Sequence, residues 1–387
     1  MSKRITKRKN INSSSNNSLH NKQTILKKLK VSKPQIDELL QNLKIEDDNI
    51  SFNEFYENRI NKYNIITSND IKLSNECLIT SNNIIKLNTT QQNIILREII
   101  GSGATSYIFS ADANYDNDKK IDIIFKILSL GENEINIMNK ISNFVINQTT
   151  PHFIINYISN YRCNKIHENN DDSQINKHIK IINSYAKDYT NNNYSLIAME
   201  KLDKDIQSLI GIIKDENILI NIYAQMYIAL LTFHLYLESI HDDVQYKNFF
   251  YKKINNSDNE YFYYKFTFSN KETKNIYIKN IGYLIILADY GFSRKIHYNQ
   301  YIEYINKEYI TRQKKEKIYL DDYSMIIDKN NHNLLKNSID NKNTEEIFFK
   351  ELIRNNNSFI KELPDNSILL NKKPYILDFI KRKIHSI

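Results

Sequence analysis

Three residue types meet at a telling spacing in "IHDDVQYKNFFY", Ile240 to Tyr251, immediately behind a long apolar stretch. His241, Asp243 and Asn248 spell H-x-D-x-x-x-x-N on what reads as a loop between a buried helix and a strand. A carboxylate so placed can accept a hydroxyl proton and orient a nucleophile. An asparagine beyond it can offer its amide oxygen to a hard cation. Further on, the apolar run "NIGYLIILADYGF" carries Asp289 at its end, where the chain must turn sharply. That makes a second cation ligand. Magnesium holding phosphate oxygens is the chemistry these groups suit.

A lysine and a glycine pair precede them. Lys126 stands in "IIFKIL", between Phe125 and Ile127. On a buried strand an unpaired ammonium would cost several kcal/mol or lose its proton. A phosphate together with a carboxylate would satisfy it. Glu134 in "NEINIM" is the first candidate and Glu132 its competitor, while an edge-strand lysine in water is the bland alternative. In "GSGATS", Gly101 and Gly103 lie between two strand-like segments and would let backbone N–H groups approach phosphate closely. Two glycines in an ordinary hairpin turn would look the same.

The elements that must position these residues are legible in outline. "NIILREII" and "KKIDIIFKIL" have strand texture, and "ENEINIMNKI" has helical spacing at Ile135, Met138 and Ile141. A strand-like "YSLIAMEKL" follows at 194–202. "NILINIYAQMYIALLTFHLYLES" is apolar nearly all round, which suits a helix inside a large domain better than a membrane span. "YFYYKFTF" and "NIYIKNIGYLIILADYGF" read as strands. Upstream, Pro34 opens a short helical pattern, "PQIDELLQNLKI", and "FNEFYENRINKY" is a second. Two segments look like surface insertions: 160–193, polar and Asn-rich, and 251–280, expected as a hairpin.

In the order glycine loop, strand lysine, H-x-D-x-x-x-x-N and D-Y-G, residues 95 to 330 resemble the protein kinase family. More narrowly they are similar to the Ser/Thr kinase-like proteins of large DNA viruses, in "HDDVQYKNFFY", "NIGYLIILADYGF" and the general composition. The resemblance implies an α+β, bilobal fold with a small β-rich N-lobe and a larger, mostly helical C-lobe. It divides the chain into a tail (1–33), a partly helical extension (34–94), an N-lobe with hinge (95–202) and a C-lobe (203–387).

The same resemblance implies roles. Gly101, Gly103, Ser106 and Ile108 would cover the phosphates of ATP. Lys126 would hold the α- and β-phosphates and pair with Glu134. "LIAMEKL" resembles the hinge, with Met199 as gatekeeper and backbone groups of Glu200 and Leu202 beside adenine. Asp243 would be the catalytic aspartate, Asn248 and Asp289 the Mg2+ ligands, and His241 a packing residue. "DDYS" resembles the D-x-W-S of the central C-lobe helix, so Asp321 would brace the catalytic loop. The substrate would be a protein hydroxyl, at an intracellular site, in host cytoplasm or a virion if the chain is viral.

Departures bear on turnover. Ser106 replaces a third glycine, and Ile124 the small residue two before the lysine. Asp242 replaces the arginine of H-R-D, which removes the basic pocket for an activation-loop phosphate. Gln245 stands where Ser/Thr kinases place a lysine, although Lys247 is close by. The short interval from Lys126 to Glu134 implies an abbreviated αC helix, and no A-P-E closes the activation segment. These leave a pseudokinase scaffold open beside the enzyme. A small-molecule kinase of the aminoglycoside or choline type is disfavoured by "DDYS" and D-Y-G.

Charge is distributed unevenly. The formal net charge is +8, yet residues 1–33 hold ten Lys or Arg and no acid. The remaining 43 basic residues face 45 acidic ones, so the body is slightly negative. The tail could touch nucleic acid or an anionic surface; a solvated end is the plainer reading. No apolar region of a secretory signal follows the basic start, and no 18-residue apolar run is found. Cys77 and Cys163 lack metal-ligand spacing and read as reduced thiols.

Overall fold

Alternating side chains over Asn93–Leu128 build three consecutive antiparallel strands, and these carry the first half of the site. The computed structural model describes residues 50–68, 84–86, 93–102, 106–116, 119–128, 131–163, 194–295, 319–324, 326, 332–340 and 344–381, with Glu38, Lys177 and Lys180. The basic tail, nearly all of the helix expected after Pro34, Gly103 and nearly all of the 160–193 insertion lie outside the described residues.

The N-terminal part is a six-stranded antiparallel sheet. Its strands are β1 (Ile84–Lys86), β2 (Asn93–Ser102), β3 (Ser106–Asp116), β4 (Lys119–Leu128), β5 (Asn156–Cys163) and β6 (Tyr194–Glu200), in the order β1-β2-β3-β4-β6-β5. Ahead of it stands helix α1 (Phe52–Ser68). Its start is a capping box: the Ser51 hydroxyl accepts from the N–H of Glu54 while Glu54 accepts from the N–H of Ser51. Helix α2 (Glu132–Ile146) follows β4 directly and buries Ile135, Ile137, Met138, Ile141 and Val145.

Helix α2 is not abbreviated, which corrects the expectation drawn from spacing. The interval after Lys126 is short because Glu134 lies in the first turn of α2, but the whole helix is 15 residues long. Apolar positions at i, i+3 and i+4 continue past Ile141 to Val145 and keep that face in the core.

The long apolar segment is helix α4 (Glu216–Leu237), reached through the short β7 (Lys204–Asp205) and α3 (Ile206–Ile210). Asp215 caps it, accepting from the N–H of Asn217, and Glu238 ends it in left-handed backbone at φ 52°. Its length and composition would allow a membrane crossing, yet 83% of the apolar window is buried inside the protein. It packs along β12 (Tyr283–Leu287), which pairs antiparallel with β9 (Phe249–Lys253). Two-residue strands β8 (Ser239–Ile240) and β13 (Arg294–Lys295) pair just outside.

Two further expectations change. The 251–280 segment does form a hairpin, β10 (Glu260–Thr267) with β11 (Thr273–Lys279), but it is no surface insertion. Phe262, Tyr264, Phe266, Ile276 and Ile278 are fully buried, and β10 also pairs in parallel with β14 (Ile368–Leu369) and β15 (Tyr375–Asp378). Phe262, Tyr264, Phe266 and Phe268 fall two apart and are buried, so one face of the hairpin became core. Consequently the described part of 203–387 is not mostly helical. Nine strands lie among the described residues there beside the helices, which also include a turn at 319–323, α5 (His332–Asp340) and α6 (Glu345–Asn355).

Candidate active site

Lys126 occupies the middle of the sheet. In the antiparallel ladders Ile108 and Ile197 lie opposite Lys126, and Ser110 and Met199 lie opposite Ile124. Opposed residues share a face, and so do residues two apart along a strand. Ile108, Ile124, Lys126 and Met199 therefore form one surface, with Gly101 opposite Ile108 at its rim. Ser106 pairs with Leu128 on the same ladder.

Lys126 is 4% exposed, and two carboxylates meet its ammonium. Nζ donates to Glu134 Oε1 at 2.7 Å and to Asp289 Oδ1 at 3.0 Å. Glu132 is exposed, which decides between the two carboxylates that the sequence left open. Burial alone would lower the lysine's pKa, but Glu134 and then Asp289 outweigh it and hold it above its ordinary value. Burial raises Glu134 despite the lysine. Asp289 is held below the usual carboxylate range because Lys126 overcomes the cost of its burial. Among the described residues Glu134 Oε2 is buried without a hydrogen-bond partner, and Gly291 backs both carboxylates: a Cβ there would lie 3.5 Å from Glu134 Oε2 and 3.6 Å from Asp289 Oδ1.

The second half of the site comes from β9 and β12. Phe249 opposes Leu287, and the N–H of Ala288 donates to Asn248 O at 2.9 Å, so Asn248 and Asp289 emerge at the same end of one ladder. Asn248 Nδ2 donates to Asp243 O at 2.7 Å and to Asp243 Oδ2 at 2.9 Å, which orients the carboxylate and turns the amide oxygen of Asn248 away from it. Gln245 Nε2 reaches both oxygens of Asp243 at 3.2 Å. Asp289 adopts left-handed backbone, φ 56°, a conformation rare outside glycine and tolerated by aspartate, and its side chain is 46% exposed.

His241 is completely buried. It bonds Ala288 O through Nε2 at 3.1 Å and packs on Phe233 and Tyr290. Burial lowers its pKa, as fits a neutral packing residue. The brace of this loop is Asp322 and not Asp321. Asp322 accepts the N–H of His241 at 2.7 Å and of Asp242 at 3.0 Å, while Asp321 is exposed. In the helical turn 319–323 the inward position falls one residue later than the motif alignment assigns it. Asp322 is backed in turn by buried His234, at 2.8 Å on Nε2, whose Nδ1 lies 2.6 Å from Glu345 Oε1. Two carboxylates raise the pKa of this imidazole against the effect of burial. Sequence reasoning missed His234 and Glu345, and a polar residue amid the apolar run of α4 was the available signal. Asp242, at the usual arginine position, pairs with Arg294 at 2.6 Å.

At the hinge-like segment Met199 is half-buried and Leu202 likewise. Glu200 donates its N–H to Ile155 O at 2.9 Å. Its side chain, which the sequence left without a role, is gripped by Arg59.

One carboxylate and one amide oxygen fit magnesium, which keeps few protein ligands and shares the rest with phosphate and water. Among the described residues no cluster of three or more His, Cys, Asp or Glu could hold a metal without such help.

No family model and no curated protein sequence matches the chain. Among solved structures, that of vaccinia related kinase 3 matches at 12% identity with a TM-score of 0.32, over 56% of this chain and 52% of that one. The match thus spans about half of that protein. Likeness at that level assigns no residue a role, and the roles below rest on the side chains.

Proposed function

We propose that the chain is an ATP- and Mg-dependent protein kinase of bilobal fold, Ser/Thr-directed, that moves the γ-phosphate of ATP to a protein hydroxyl. The observation that carries this reading is the single ammonium of Lys126 held by both Glu134 and Asp289. The strand and the helix that follows it meet, at one charge, an aspartate 163 residues further along the chain, and Asp289 leaves the same ladder end as the loop that presents Asp243 and Asn248.

Each residue then has a part. Lys126, kept protonated and aimed by Glu134, would bind the α- and β-phosphates. Asn248 and Asp289 would hold magnesium, which supplies charge neutralisation on the transferred group. Asp243, fixed by Asn248, would accept the hydroxyl proton of the acceptor and orient it for in-line attack. Gly101, Gly103, Ser106 and Ile108 would cover the phosphates. Met199 and the backbone at Glu200 and Leu202 would border the base. Positioning and electrostatics supply most of the rate in such a site.

The test is transfer of labelled phosphate from Mg-ATP to a generic basic protein. Asp243→Asn should lower kcat by about 100-fold or more, and Asp289→Ala should abolish transfer with the fold intact. Parental activity in Asp289→Ala would overturn the assignment. A second reading, a nucleotide-binding scaffold, is favoured by Gln245, which gives both Asp243 oxygens a neutral donor where a lysine charge is usual. Thermal stabilisation by Mg-ATP without transfer would select it.

A further inference from the structure

Helix α1 lies outside the residues that resemble a kinase, yet its inward stripe reaches the back of β6, the strand that would border the base. Phe52, Phe55, Tyr56 and Ile66 fall at helical spacing and are buried, as an apolar face should be. In the middle of that stripe stands Arg59, 1% exposed. A guanidinium in such a place is tolerable only if its donors are answered. They are answered by one locality. Nε donates to Glu200 Oε1 at 2.7 Å and Nη2 to Glu200 Oε2 at 2.9 Å, a two-pronged grip. Nη1 donates to Pro151 O at 2.9 Å, and Nη2 also to Phe153 O. Glu200 Oε2 further accepts the N–H of Ile155 at 3.2 Å.

The placement is what matters. Glu200 opposes Ile123, one residue out of phase with the pair Ile124 and Met199, so its side chain leaves β6 on the face opposite Lys126. Arg59 therefore grips β6 from behind, at the residue whose backbone would border the base. Through Pro151 and Phe153 it also grips the connection from α2 to β5, and Tyr56 Oη donates to Val145 O near the end of α2, the helix that carries Glu134.

We propose that α1 is a positioning element of the nucleotide site, with Arg59 as its acting residue. The guanidinium sets Glu200, and Glu200 sets the strand end against which ATP is held. This rests on the kinase reading and extends the working unit upstream to residue 50. Lysine cannot replace arginine here, because one ammonium cannot serve two carboxylate oxygens and two carbonyls arranged about a planar fork.

The experiment compares the full chain with Arg59→Lys and Glu200→Gln, using Leu352→Ala as an equally buried, remote destabilised control. In phosphate transfer, both site variants should raise the KM for ATP about tenfold with kcat within about twofold, the pattern of lost binding rather than lost chemistry. The acceptor KM should not move, and Leu352→Ala should leave the ATP KM unchanged. An unchanged ATP KM in a destabilised Arg59→Lys protein would reduce Arg59 to scaffolding and overturn the proposal. Amide exchange across 196–202 gives a readout that needs no turnover. It should quicken about tenfold in Arg59→Lys but not in Leu352→Ala, and equal exchange overturns the proposal too. If the parent chain neither binds Mg-ATP nor transfers phosphate, the kinase reading fails, and the exchange comparison still decides whether Arg59 holds the strand end.

Discussion

Asp322→Asn, set beside Asp321→Asn, is the sharpest test of how the loop that carries Asp243 is held. The two aspartates are neighbours of identical chemistry, but only Asp322 is buried, 6% exposed, with three partners. Two are backbone N–H groups of the loop and the third is the imidazole of His234. Losing the buried charge leaves His234 facing one carboxylate instead of two and gives the loop an amide whose NH2 opposes its own donors. Breaking a buried pair by removing one partner costs about 3–5 kcal/mol, a large part of the roughly 5–15 kcal/mol that holds a typical domain. Asp321→Asn, at an exposed position, should stay within about 0.5 kcal/mol. Urea denaturation at neutral pH measures both. The loop geometry also predicts that Asp322→Asn lowers kcat, since Asp243 is displaced with the backbone of His241 and Asp242. If Asp321→Asn destabilised as much, or Asp322→Asn cost under about 1 kcal/mol, the brace would be misassigned.

Other outcomes follow from the same structure. Burial holds His152 down at about 4, with Ile285 O on Nδ1 and the Tyr264 hydroxyl on Nε2. A histidine neutral when folded and near 6.5 when unfolded gives full stability above that pH and loses it as pH falls toward 4. Linkage puts the loss at about 2 kcal/mol between about pH 7.5 and 5, and His152→Asn should flatten that slope in urea titrations. His234 has the opposite sign: its raised pKa makes its contribution complete below about 6.5 and lost as pH climbs through the folded value, so melting temperature should fall on the alkaline side less steeply in His234→Gln. The Asp242–Arg294 pair is 41% and 45% exposed, so Asp242→Asn should cost no more than about 1 kcal/mol in denaturant. Gln245→Lys should raise kcat severalfold in the phosphate-transfer assay, and a decrease would show that the glutamine is the better partner for Asp243.

Local sequence determined much of this protein. Apolar β-branched texture announced β4, the 3.6-residue period announced α2, and residue type, local context and the family resemblance singled out Lys126, Asp243, Asn248 and Asp289, because each is tied to an element whose pattern lies in its own neighbours. Which carboxylate meets Lys126, and that Asp289 joins it, needed the fold: Glu132 and Glu134 differ only by the turn of a helix, and Asp289 is 163 residues away. Asp322 over Asp321 was likewise a matter of which side of a single helical turn faces inward. The hairpin at 260–279 was readable as a hairpin, but its burial depended on β14 and β15 arriving from the far end of the chain. Arg59 was the least legible. Nothing in "FNEFYENRINKY" says that a guanidinium there will find a carboxylate at Glu200, because long-range pairing is decided by three-dimensional packing, and packing leaves no period in the sequence.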